Sequence, residues 1–435
     1  MNVTSPAPIQ SLCVVGLGYV GLPTAAVFAS RGLSVLGVDI NAETVASING
    51  GRIHIVEPDL DVLVEGAVAR GLLRASVTPE PADAFIIAVP TPFKENHAPD
   101  LTYVEQATLS IAPVLKRGDL VVVESTCPVG TTAAVSEWLA RARPDLIFPH
   151  DSGDDADVFV AHSPERVLPG RVLIELVDND RVVGGLSPTS ATRAAALFQL
   201  AIKGTCHLTD ARTAELVKLS ENAYRDVNIA FANELAAISE TLGVNPWDVV
   251  ALANRHPRVN ILKPGPGVGG HCIAVDPWFI VDSAPDVSDL IRTARLVNDR
   301  RPSDIAQQVR DAAEQAQQVS NQITDLTVIA CLGLSYKADI DDMRESPAVI
   351  VCEELAENNS FDLRIVEPHT SILPSSLDSR TNVSLTSLED ALRDASVLVV
   401  LTDHSAFKGL TSADAEGLFV IDARGIFAAP PAATT

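Results

Sequence analysis

Residues 12–21 read Leu-Cys-Val-Val-Gly-Leu-Gly-Tyr-Val-Gly, an apolar run followed by three glycines in the spacing Gly-x-Gly-x-x-Gly. The run Leu12–Val15 predicts a buried parallel strand, and the residues from Gly21 onward predict a helix. Gly16 permits a tight turn, Gly18 lets a pyrophosphate approach the backbone, and Gly21 allows the helix to pack closely on the strand. The helix N-terminus supplies N–H donors and a positive dipole for phosphates. The stretch therefore predicts the first strand, turn and helix of a dinucleotide-binding α/β fold.

The ends of the next predicted strands carry polar residues suited to the same ligand. Asp39 lies eighteen residues beyond Gly21, where a carboxylate accepts hydrogen bonds from both ribose hydroxyls of a dinucleotide. No arginine directly follows Asp39, which favours NAD over NADP. Thr91 either contacts the cofactor or belongs to a rigid, proline-flanked loop. The hydroxyls of residues 124–132 either serve the nicotinamide and the reacting carbon or cap the following helix.

The pattern along the chain indicates two similar lobes and a helical middle. Strand and helix patterns alternate in the first half and again from about Leu326, as in doubly wound domains. Between them, Asp210–Leu242 predicts one long helix, followed by helices at Trp247–Ala253 and near Leu290–Arg300. We therefore expect two doubly wound, Rossmann-like α/β lobes joined by a central helical region, with domains at residues 1–209, 210–318 and 319–435. The predicted strands are Leu12–Val15, Ser34–Val38, Phe85–Val89, Leu120–Glu124, Val158–Ala161, Arg181–Val183, Thr327–Leu332, Leu363–Val366, Val397–Leu401 and Phe419–Ile421. The predicted crossover helices of the first lobe are Thr24–Ser30, Tyr103–Leu115 and Thr132–Ala142.

Composition excludes several classes of protein. The 435 residues carry a formal net charge of -24, which argues against nucleic acid or an anionic membrane as a partner. The six cysteines have neither the paired spacing of a disulfide framework nor that of a zinc site. No run approaches the roughly 20 apolar residues of a membrane span, and Met1–Gln10 does not read as a signal peptide. We expect a soluble, cytoplasmic protein with no metal.

A second distinctive stretch lies at residues 265–277, Gly-Pro-Gly-Val-Gly-Gly-His-Cys-Ile-Ala-Val-Asp-Pro. Loops rich in Gly and Pro usually lie at the surface and let the backbone approach a ligand. A single cysteine is more often inert packing, but this loop favours a reactive Cys272, and we interpret the other five cysteines as packing. A thiolate can add to an aldehyde, the thiohemiacetal can lose a hydride to NAD, and water can hydrolyse the resulting thioester. The loop therefore predicts an enzyme that converts an alcohol into an acid.

The long predicted helix carries Lys218, Asn222 and Arg225, whose spacings of four and three place them on one face. Lys218 suits acid–base chemistry, and Lys218 with Asn222 can donate to a developing oxyanion. The alternative is an ordinary solvated helix face. We place three other charged residues of this helix on its solvated side or in local pairs: Asp210, Arg212 and Glu215.

Further charged residues follow predicted strands or precede the glycine loop. Glu165 lies in a proline-bounded loop and could activate a hydrolytic water, and Arg166 beside it could hold a phosphate or carboxylate. His256 and Arg258 suit a diphosphate or sugar, unless they form a charge cluster at a helix C-terminus. Three cations of the C-terminal lobe could reach anions at the cleft between the lobes: Lys337, Arg344 and Arg424.

The number and order of these motifs identify a family resemblance. The matching segments are Gly16–Pro23, Val89–Pro92, Glu124–Gly130, Pro164–Arg166, Lys218–Asn222, Gly267–Asp276 and Gly333–Pro347. They resemble, nearly end to end, the UDP-sugar 6-dehydrogenases of the UDP-glucose/UDP-mannose dehydrogenase family, which oxidise the C6 alcohol of a nucleotide sugar to a carboxylate with two NAD.

Within that family the chain is most similar to the UDP-N-acetyl-D-mannosamine branch. The UDP-glucose enzymes typically read Gly-Gly-Ser-Cys-Phe and carry a second glutamate after the first, where this chain has His271 before the cysteine and Pro169. They also carry a lysine before the aspartate, where Val275 stands. The N-acetylglucosamine enzymes share Gly-Gly-His-Cys but tend to have proline in place of Ala274. The strings at residues 224–233 and 254–260 resemble the mannosamine branch.

The resemblance implies a role for each candidate residue. Cys272 would be the nucleophile and Lys218 the acid–base group, with Asn222 and Asp276 ordering water and oxyanion, and Glu165 and Thr126 assisting hydrolysis. The NAD-binding residues would be Gly16, Gly18, Tyr19, Val20, Gly21, Asp39, Thr91, Thr132 and Arg344. The UDP-sugar would contact Arg166, Val167, Lys218, Asn222, Arg225, Gly269, Tyr336, Lys337 and Arg424.

The resemblance also implies an assembly and an activity. In such enzymes the helical middle forms a homodimer, so that His256 and Arg258 would act in the partner's site. The predicted reaction is the NAD-dependent oxidation of UDP-N-acetyl-D-mannosamine to its uronate, for surface polysaccharide or glycoconjugate synthesis. The alternatives are UDP-N-acetylglucosamine or UDP-glucose as substrate, and a non-catalytic nucleotide-sugar sensor, against which the intact Cys272 and Lys218 argue.

Overall fold

The computed structural model describes residues 8–94, 97–167, 170–270, 272–320 and 326–428. The chain forms two compact units. The first comprises the described residues of Met1–Glu221 with Trp278–Ala284, and the second those of Asn222–Pro277 with Pro285–Thr435. Three residues or segments named above lie outside the described part of the chain: residues 1–7, Pro169 and His271.

The first unit is built on an eight-stranded sheet of order β3-β2-β1-β4-β5-β6-β7-β8. Strands β1 to β6 are parallel, and β7 pairs with β6 in the antiparallel sense before β8 pairs with β7 in parallel. The order 3-2-1-4-5-6 is that of a Rossmann domain. The strands are β1 (Ser11–Val15), β2 (Ser34–Val38), β3 (Leu73–Ser76), β4 (Ala84–Ile87), β5 (Leu120–Val123), β6 (Phe159–His162), β7 (Arg181–Gly185) and β8 (Cys206–Asp210). The helices are α1 (Gly21–Ser30), α2 (Ala42–Asn49), α3 (Leu60–Ala69), α4 (Thr102–Ile111), α5 (Thr131–Ala142), α6 (Pro149–Ser152), α7 (Val172–Asp178) and α8 (Pro188–Gln199), with 3₁₀ turns at Ala112–Val114 and Gly153–Asp155.

Both faces of the central strands β1, β4 and β5 are buried, as their continuous apolar runs predict, whereas the edge strand β8 is partly exposed. Because successive side chains of a strand point to opposite faces, Leu12 and Val14 of β1 belong to one core cluster, which also contains Phe28 of α1. Cys13 and Val15 belong to the cluster on the other face. The doubly wound prediction is confirmed for this unit.

Four helices follow β8 along the chain: α9 (Ala211–Thr241), α10 (Pro246–Ala253), α11 (Asp276–Ser283) and α12 (Asp289–Ser320). The predicted long helix is confirmed by α9. The predicted end of α12 near Arg300 is wrong, because the helix continues through Pro302. Its second half packs Ile305 and Val309 into the core of the C-terminal sheet, and this burial outweighs the hydrogen bond that proline removes.

The C-terminal sheet is wholly parallel, with the order β11-β10-β9-β12-β13. This repeats the 3-2-1-4-5 order of the first sheet and confirms a second Rossmann-like lobe. Its strands are β9 (Thr327–Leu332), β10 (Phe361–Val366), β11 (Val383–Leu385), β12 (Val397–Val400) and β13 (Phe419–Asp422). Its helices are α13 (Pro347–Ala356), α14 (Ser375–Asp378) and α15 (Leu388–Leu392), with a 3₁₀ turn at Ser405–Phe407.

Within the described residues, no helix combines the length and the hydropathy that a bilayer crossing requires.

Candidate active site

The glycine turn after β1 has the predicted geometry. Gly16 adopts a positive φ of 94°, its N–H donates to Val38 O at 2.8 Å, and a Cβ there would lie 2.4 Å from Ala88 O. A Cβ on Gly21 would lie 1.8 Å from Gly16 O, so only glycine fits either position. Among the described residues other than its two chain neighbours, none has an atom within 4 Å of a Cβ built on Gly18, which leaves that backbone open to a ligand. The turn therefore fits a dinucleotide pyrophosphate.

Asp39 lies beside this turn at the end of β2. Its carboxylate accepts hydrogen bonds from the N–H of Leu17 at 3.0 Å and of Asn41 at 2.9 Å. The side chain is half-buried, and a carboxylate has about four acceptor sites. Its position and its remaining acceptor capacity suit a ribose diol. Tyr19 is exposed and Val20 is half-buried in the same turn.

The loops after β4 and β5 are tied together by a hydrogen bond. The Thr91 hydroxyl donates to the carbonyl oxygen of Thr126 at 2.5 Å. Thr132 is fully buried, and its hydroxyl and N–H donate to Glu215 at 2.6 and 2.7 Å. These contacts give Thr91 and Thr132 a structural function in the folded chain.

The expectation that Glu215 lies on the solvated side of its helix is wrong. Its side chain is buried and also accepts the N–H of Gly130 at 2.6 Å. The carboxylate therefore caps the N-terminus of α5, whose first N–H groups have no partner within the helix. Burial raises the pKa of Glu215, and the hydrogen bonds from Gly130 and Thr132 oppose that rise. Helical spacing alone cannot reveal this partner, because it lies more than 80 residues away in sequence.

Glu165 is buried in the loop after β6, and its Oε1 has no hydrogen-bond partner among the described residues. Burial raises the pKa of Glu165 to about 7, against the opposing charges of Lys218 and Arg181. A carboxyl group that titrates near neutral pH suits general acid–base chemistry. Lys218 is half-buried on α9 and belongs to the same unit as Glu165.

A buried ion pair that sequence reasoning missed accompanies Glu165. Arg181 Nη1 lies 2.9 Å from Glu124 Oε1, and both side chains are almost fully buried. Glu124 Oε2 accepts from the Thr24 hydroxyl at 3.1 Å, and the Arg181 guanidinium lies over the ring of Phe198, 4.3 Å from its centroid. The one available signal was an arginine at the start of an otherwise apolar strand. Arg181 contributes to the electrostatic field at Glu165.

Arg166 and Val167 continue the same loop. Arg166 pairs with Glu221 of α9, with Nη2 to Oε1 at 2.5 Å and Nε to Oε2 at 3.1 Å. Both side chains are about one-third exposed, so the guanidinium remains accessible to an anion. Val167 packs at the edge of the first core cluster.

Cys272 is exposed at the C-terminal end of its glycine loop. Its carbonyl oxygen accepts the N–H of Val275 at 3.0 Å and of Asp276 at 2.8 Å. Asp276 is buried and accepts a hydrogen bond from the side-chain amide of Asn222 at 2.5 Å. The second unit thus brings together three of the predicted catalytic residues: Cys272, Asp276 and Asn222.

Several residues of the second unit that the resemblance assigns to the UDP-sugar, and Arg344, which it assigns to NAD, lie in different environments. Lys337 and Tyr336 are half-buried after β9. Arg344 pairs with Asp342 at 2.8 Å and stays 57% exposed, and Arg424 Nε lies 3.4 Å from Asp403 Oδ1. The remaining three predicted contacts are exposed: Arg225, His256 and Arg258.

Among the described residues, two side-chain clusters have metal-binding residue types. Cys127, His162 and Glu215 have ligand atoms within 4.8 Å of one another, as do Asp339, His369 and His404. One member of each cluster already accepts hydrogen bonds from the protein. Glu215 accepts three hydrogen bonds from residues 130 and 132, and Nδ1 of His404 accepts the Asp339 N–H at 3.0 Å. We therefore assign no metal to either cluster.

Comparison with known proteins agrees with this geometry. The models of the UDP-glucose/GDP-mannose dehydrogenase family match residues 10–202 (NAD binding domain), 212–300 (central domain) and 330–429 (UDP binding domain). The NAD-binding match identifies NAD as the cofactor, in accord with the open backbone at Gly18 and the position of Asp39.

Individual relatives match over nearly the whole chain. An NDP-N-acetyl-D-galactosaminuronic acid dehydrogenase from Ralstonia nicotianae is 56% identical over 420 residues, 97% of each chain. A UDP-N-acetyl-D-mannosamine dehydrogenase from Escherichia coli is 54% identical over 417 residues, 96% of this chain and 99% of the relative. The solved structure of a UDP-D-ManNAc dehydrogenase from Pyrococcus horikoshii has a TM-score of 0.84 and 39% identity, covering 97% of each chain.

Proposed function

The chain belongs to the UDP-glucose/GDP-mannose dehydrogenase family, and from that premise we propose that it oxidises C6 of UDP-N-acetyl-D-mannosamine to the carboxylate. Each turnover reduces two NAD, consumes one water and releases UDP-N-acetyl-D-mannosaminuronate. The observation that carries the proposal is the exposed Cys272 on a glycine loop, four residues before Asp276, which is hydrogen-bonded to Asn222. The E. coli and Pyrococcus horikoshii relatives carry the mannosamine name.

The proposed reaction runs through a covalent bond to sulfur. Oxidation of the C6 alcohol gives an aldehyde, and the Cys272 thiolate adds to its carbonyl carbon to form a thiohemiacetal. NAD supplies the hydride acceptor for both oxidations. The second oxidation gives a thioester, whose carbonyl carbon is attacked by water, and the C–S bond breaks to return the thiolate. In this scheme Lys218 takes the alcohol proton, and Lys218 and Asn222 donate to the oxygen that becomes negative.

Glu165 is the proposed base for the hydrolytic water, and Thr126 assists it. The support is the burial of Glu165 and the rise of its pKa to about 7, which leaves a large basic fraction at neutral pH. Asp276 fixes the Asn222 amide through their hydrogen bond, so that the amide is held before substrate arrives.

Binding of the two ligands follows the placements above. Gly16, Gly18, Gly21, Tyr19 and Val20 would hold the NAD pyrophosphate and neighbouring groups, with Asp39 on the ribose. Thr91, Thr132 and Arg344 are the other proposed NAD contacts. The proposed UDP-sugar contacts are Arg166, Val167, Lys218, Asn222, Arg225, Gly269, Tyr336, Lys337 and Arg424.

A homodimer through α9 is part of the proposal. Tyr224, Phe231 and Ile238 of α9, and Leu242 directly after it, are between 48% and 71% exposed. The spacing of the first three places them along one side of the helix. Burial of such an apolar stripe stabilises association. A second copy would bring His256 and Arg258, which are exposed, to the site of its partner.

We place the domain boundaries at residues 1–209 for the NAD-binding domain, 210–318 for the dimerisation and catalytic-loop domain, and 319–435 for the UDP-sugar-binding domain. We place the enzyme in the cytoplasm, where reducing conditions suit six cysteines that form no disulfide. The uronate product suits surface polysaccharide or glycoconjugate synthesis.

The second candidate substrate is the galactosamine counterpart. It is favoured by the Ralstonia nicotianae relative, which is named for N-acetyl-D-galactosaminuronic acid and is 56% identical. Both candidates use the same chemistry and differ in sugar stereochemistry.

The test measures absorbance at 340 nm with four UDP-sugars: N-acetylmannosamine, N-acetylgalactosamine, N-acetylglucosamine and glucose. We expect the highest kcat/KM for UDP-N-acetyl-D-mannosamine and two NADH per sugar consumed. A higher kcat/KM for the galactosamine compound would select the second candidate. One NADH per sugar with released aldehyde would contradict the thiol route, and UDP-sugar binding without NADH would indicate a sensor.

A further inference from the structure

We propose that Tyr336 is a positioning residue for Cys272, and that Glu367 and His404 hold Tyr336 in the place from which it acts. The two segments involved are the cysteine loop (residues 265–270 and 272–276) and the β9 loop (residues 333–339), which carries Lys337. The inference rests on the proposed role of Cys272 as the nucleophile, and it adds a link between the reactive thiol and the nucleotide-binding end of the C-terminal sheet.

The contact between the two loops is close. A Cβ built on Gly269 would lie 2.8 Å from Tyr336 Cβ, and one built on Gly270 would lie 3.0 Å from Tyr336 Cε2. Gly270 also has a positive φ of 82°. The bare backbone three and two residues before Cys272 therefore packs directly on the Tyr336 side chain, and glycine is required for that approach.

The cysteine loop is anchored at both ends. The Gly265 N–H donates to Asn233 Oδ1 at 2.8 Å in a buried hydrogen bond, and Asp276 accepts from Asn222. Between these anchors the glycines pack on Tyr336 and on the Pro347 ring. The conformation that presents Cys272 thus depends on where the β9 loop places Tyr336.

Side chains from neighbouring elements fix the backbone of the β9 loop. The Thr402 hydroxyl donates to Ser335 O at 2.7 Å, and the Ser346 hydroxyl donates to Leu334 O at 2.6 Å. The Tyr336 N–H donates to Asp342 O at 3.2 Å. These bonds satisfy buried backbone groups that would otherwise cost free energy.

Glu367 and His404 complete the anchor. Oε2 of Glu367 accepts the N–H of Leu334 at 2.7 Å and of Ser335 at 3.1 Å, and it lies 3.2 Å from His404 Nε2. Nδ1 of His404 accepts the Asp339 N–H, which places the ring proton on Nε2, facing Glu367. Both side chains are fully buried. Burial favours a higher pKa for Glu367, but the His404 and Leu334 hydrogen bonds outweigh it and the pKa is lowered.

The consequence is a mechanical connection. Loss of the Glu367 charge leaves two buried N–H groups and the His404 ring with a weaker acceptor, and the β9 loop can then shift. Because Tyr336 belongs to that loop, a shift reaches the cysteine loop through packing. A displacement of about 1 Å at a nucleophile can reduce a rate by about a hundredfold.

The test is the rate constant for alkylation of Cys272 by iodoacetamide in full-length protein without NAD or sugar, with the labelled peptide quantified by mass spectrometry. We expect Tyr336→Phe, which keeps the ring, to stay within about twofold of the wild type. Tyr336→Ala and Glu367→Gln should accelerate alkylation by about fivefold or more, because a loosened loop exposes the thiol further. Glu357→Gln, an exposed change in the same lobe, is the matched control and should change nothing.

Unfolding midpoints measured in parallel separate positioning from loss of fold. If Tyr336→Ala does not fold, Tyr336→Leu takes its place. An alkylation rate that stays at the wild-type value in folded Tyr336→Ala or Tyr336→Leu would overturn the proposal. The assay uses no substrate, so a failure of the proposed reaction would appear separately, as acid production by a Cys272→Ser variant.

Discussion

The first sheet and the C-terminal sheet have the same glycine turn at the end of their central strands, β1 and β9. Gly16 after β1 and Gly333 after β9 both have a positive φ, 94° and 87°. Both donate their N–H to the last residue of the neighbouring strand, Val38 at 2.8 Å and Val366 at 2.9 Å. A Cβ on either glycine would clash with a residue that follows the next strand of the sheet. It would lie 2.4 Å from Ala88 O in the first sheet and 2.4 Å from Thr402 Cβ in the second.

The two sheets differ in how they use the carboxylate that follows the second strand. Asp39 takes one N–H from the glycine turn and stays half-buried, so that it keeps acceptor capacity for a ligand. Glu367 is fully buried and accepts two N–H groups of the β9 loop, those of Leu334 and Ser335. The same topological position therefore leaves acceptor capacity for the proposed ribose contact in the first lobe and anchors the β9 loop in the second. For the second lobe, the proposed contact with the UDP-sugar comes from the loop itself, through Lys337.

The largest effect should come from a Cβ at the first turn. Gly16→Ala places a methyl 2.4 Å from a backbone carbonyl at a positive φ, so we expect a loss of about 3 kcal/mol or more of stability and no NAD binding. Urea unfolding and NAD titration measure both. Wild-type stability of Gly16→Ala would contradict the claim that this turn leaves no room for a Cβ.

Gly18→Ala is the matched control, because its Cβ meets no atom within 4 Å. It should unfold within about 0.5 kcal/mol of the wild type while binding NAD more weakly, since the methyl points into the space proposed for the pyrophosphate. Destabilisation as large as that of Gly16→Ala would argue against an open turn.

The next effect separates the two carboxylates by ligand. Asp39→Asn should raise KM for NAD by about tenfold to a hundredfold, since a hydrogen bond to a charged group contributes about 1.5–3 kcal/mol, and leave KM for the UDP-sugar unchanged. Glu367→Gln should do the reverse, raising KM for the UDP-sugar alone. Steady-state kinetics with each ligand varied in turn gives the four values. Equal effects on both ligands in either variant would remove the proposed division of roles.

Glu165 gives a smaller, pH-dependent effect. Because its pKa is raised to about 7, the basic form grows as pH rises through 7, and kcat for acid formation should rise with it. The folded pKa lies above the unfolded value of about 4.3, so the stability contributed by the protonated group is complete below pH 4 and is lost as pH rises through 7. Glu165→Gln should remove this rise of kcat with pH, the kinetic limb. Its stability relative to that of the wild type should be greater at pH 8 than at pH 4. A limb that survives the substitution would assign it to another group.

The smallest effect concerns the cation beside Glu165. Arg181 opposes the rise of the Glu165 pKa, so Arg181→Met should move the kinetic limb to higher pH, and Arg181→Lys should move it less. A pH–rate profile for both variants tests this order. An unmoved limb in folded Arg181→Met would exclude electrostatic coupling between these residues.

The sequence predicted the parts of this fold that depend on local pattern. The strands β1, β2 and β9, the glycine turn and the long α9 follow from apolar runs and helical spacing. The short edge strands β3 and β11 were missed, since Leu73–Ser76 and Val383–Leu385 mix polar and apolar residues. The full length of α12 depended on tertiary burial beyond Pro302. Local patterns are a weak guide where packing decides.

The candidate site divides in the same way. Glycine spacing, Asp39 and the cysteine loop are visible in one stretch each, and the structure shows a glycine turn, a half-buried carboxylate and an exposed thiol at these positions. Arg181 and Glu367 were not singled out, and Glu215 was placed wrongly. Each makes hydrogen bonds to residues far away in sequence: Arg181 to Glu124, 57 residues away, Glu367 to Ser335 and Leu334, 32 and 33 residues away, and Glu215 to Gly130, 85 residues away. Only the folded chain brings these partners together.

The central claim is that acid formation passes through a bond to the sulfur of Cys272. The most direct test is to incubate a Cys272→Ser variant with UDP-N-acetyl-D-mannosamine and NAD and to quantify the uronate by mass spectrometry, with UDP-sugar binding measured separately. We expect the variant to retain UDP-sugar binding and to form no uronate. Uronate formed at the wild-type rate by that variant would contradict it.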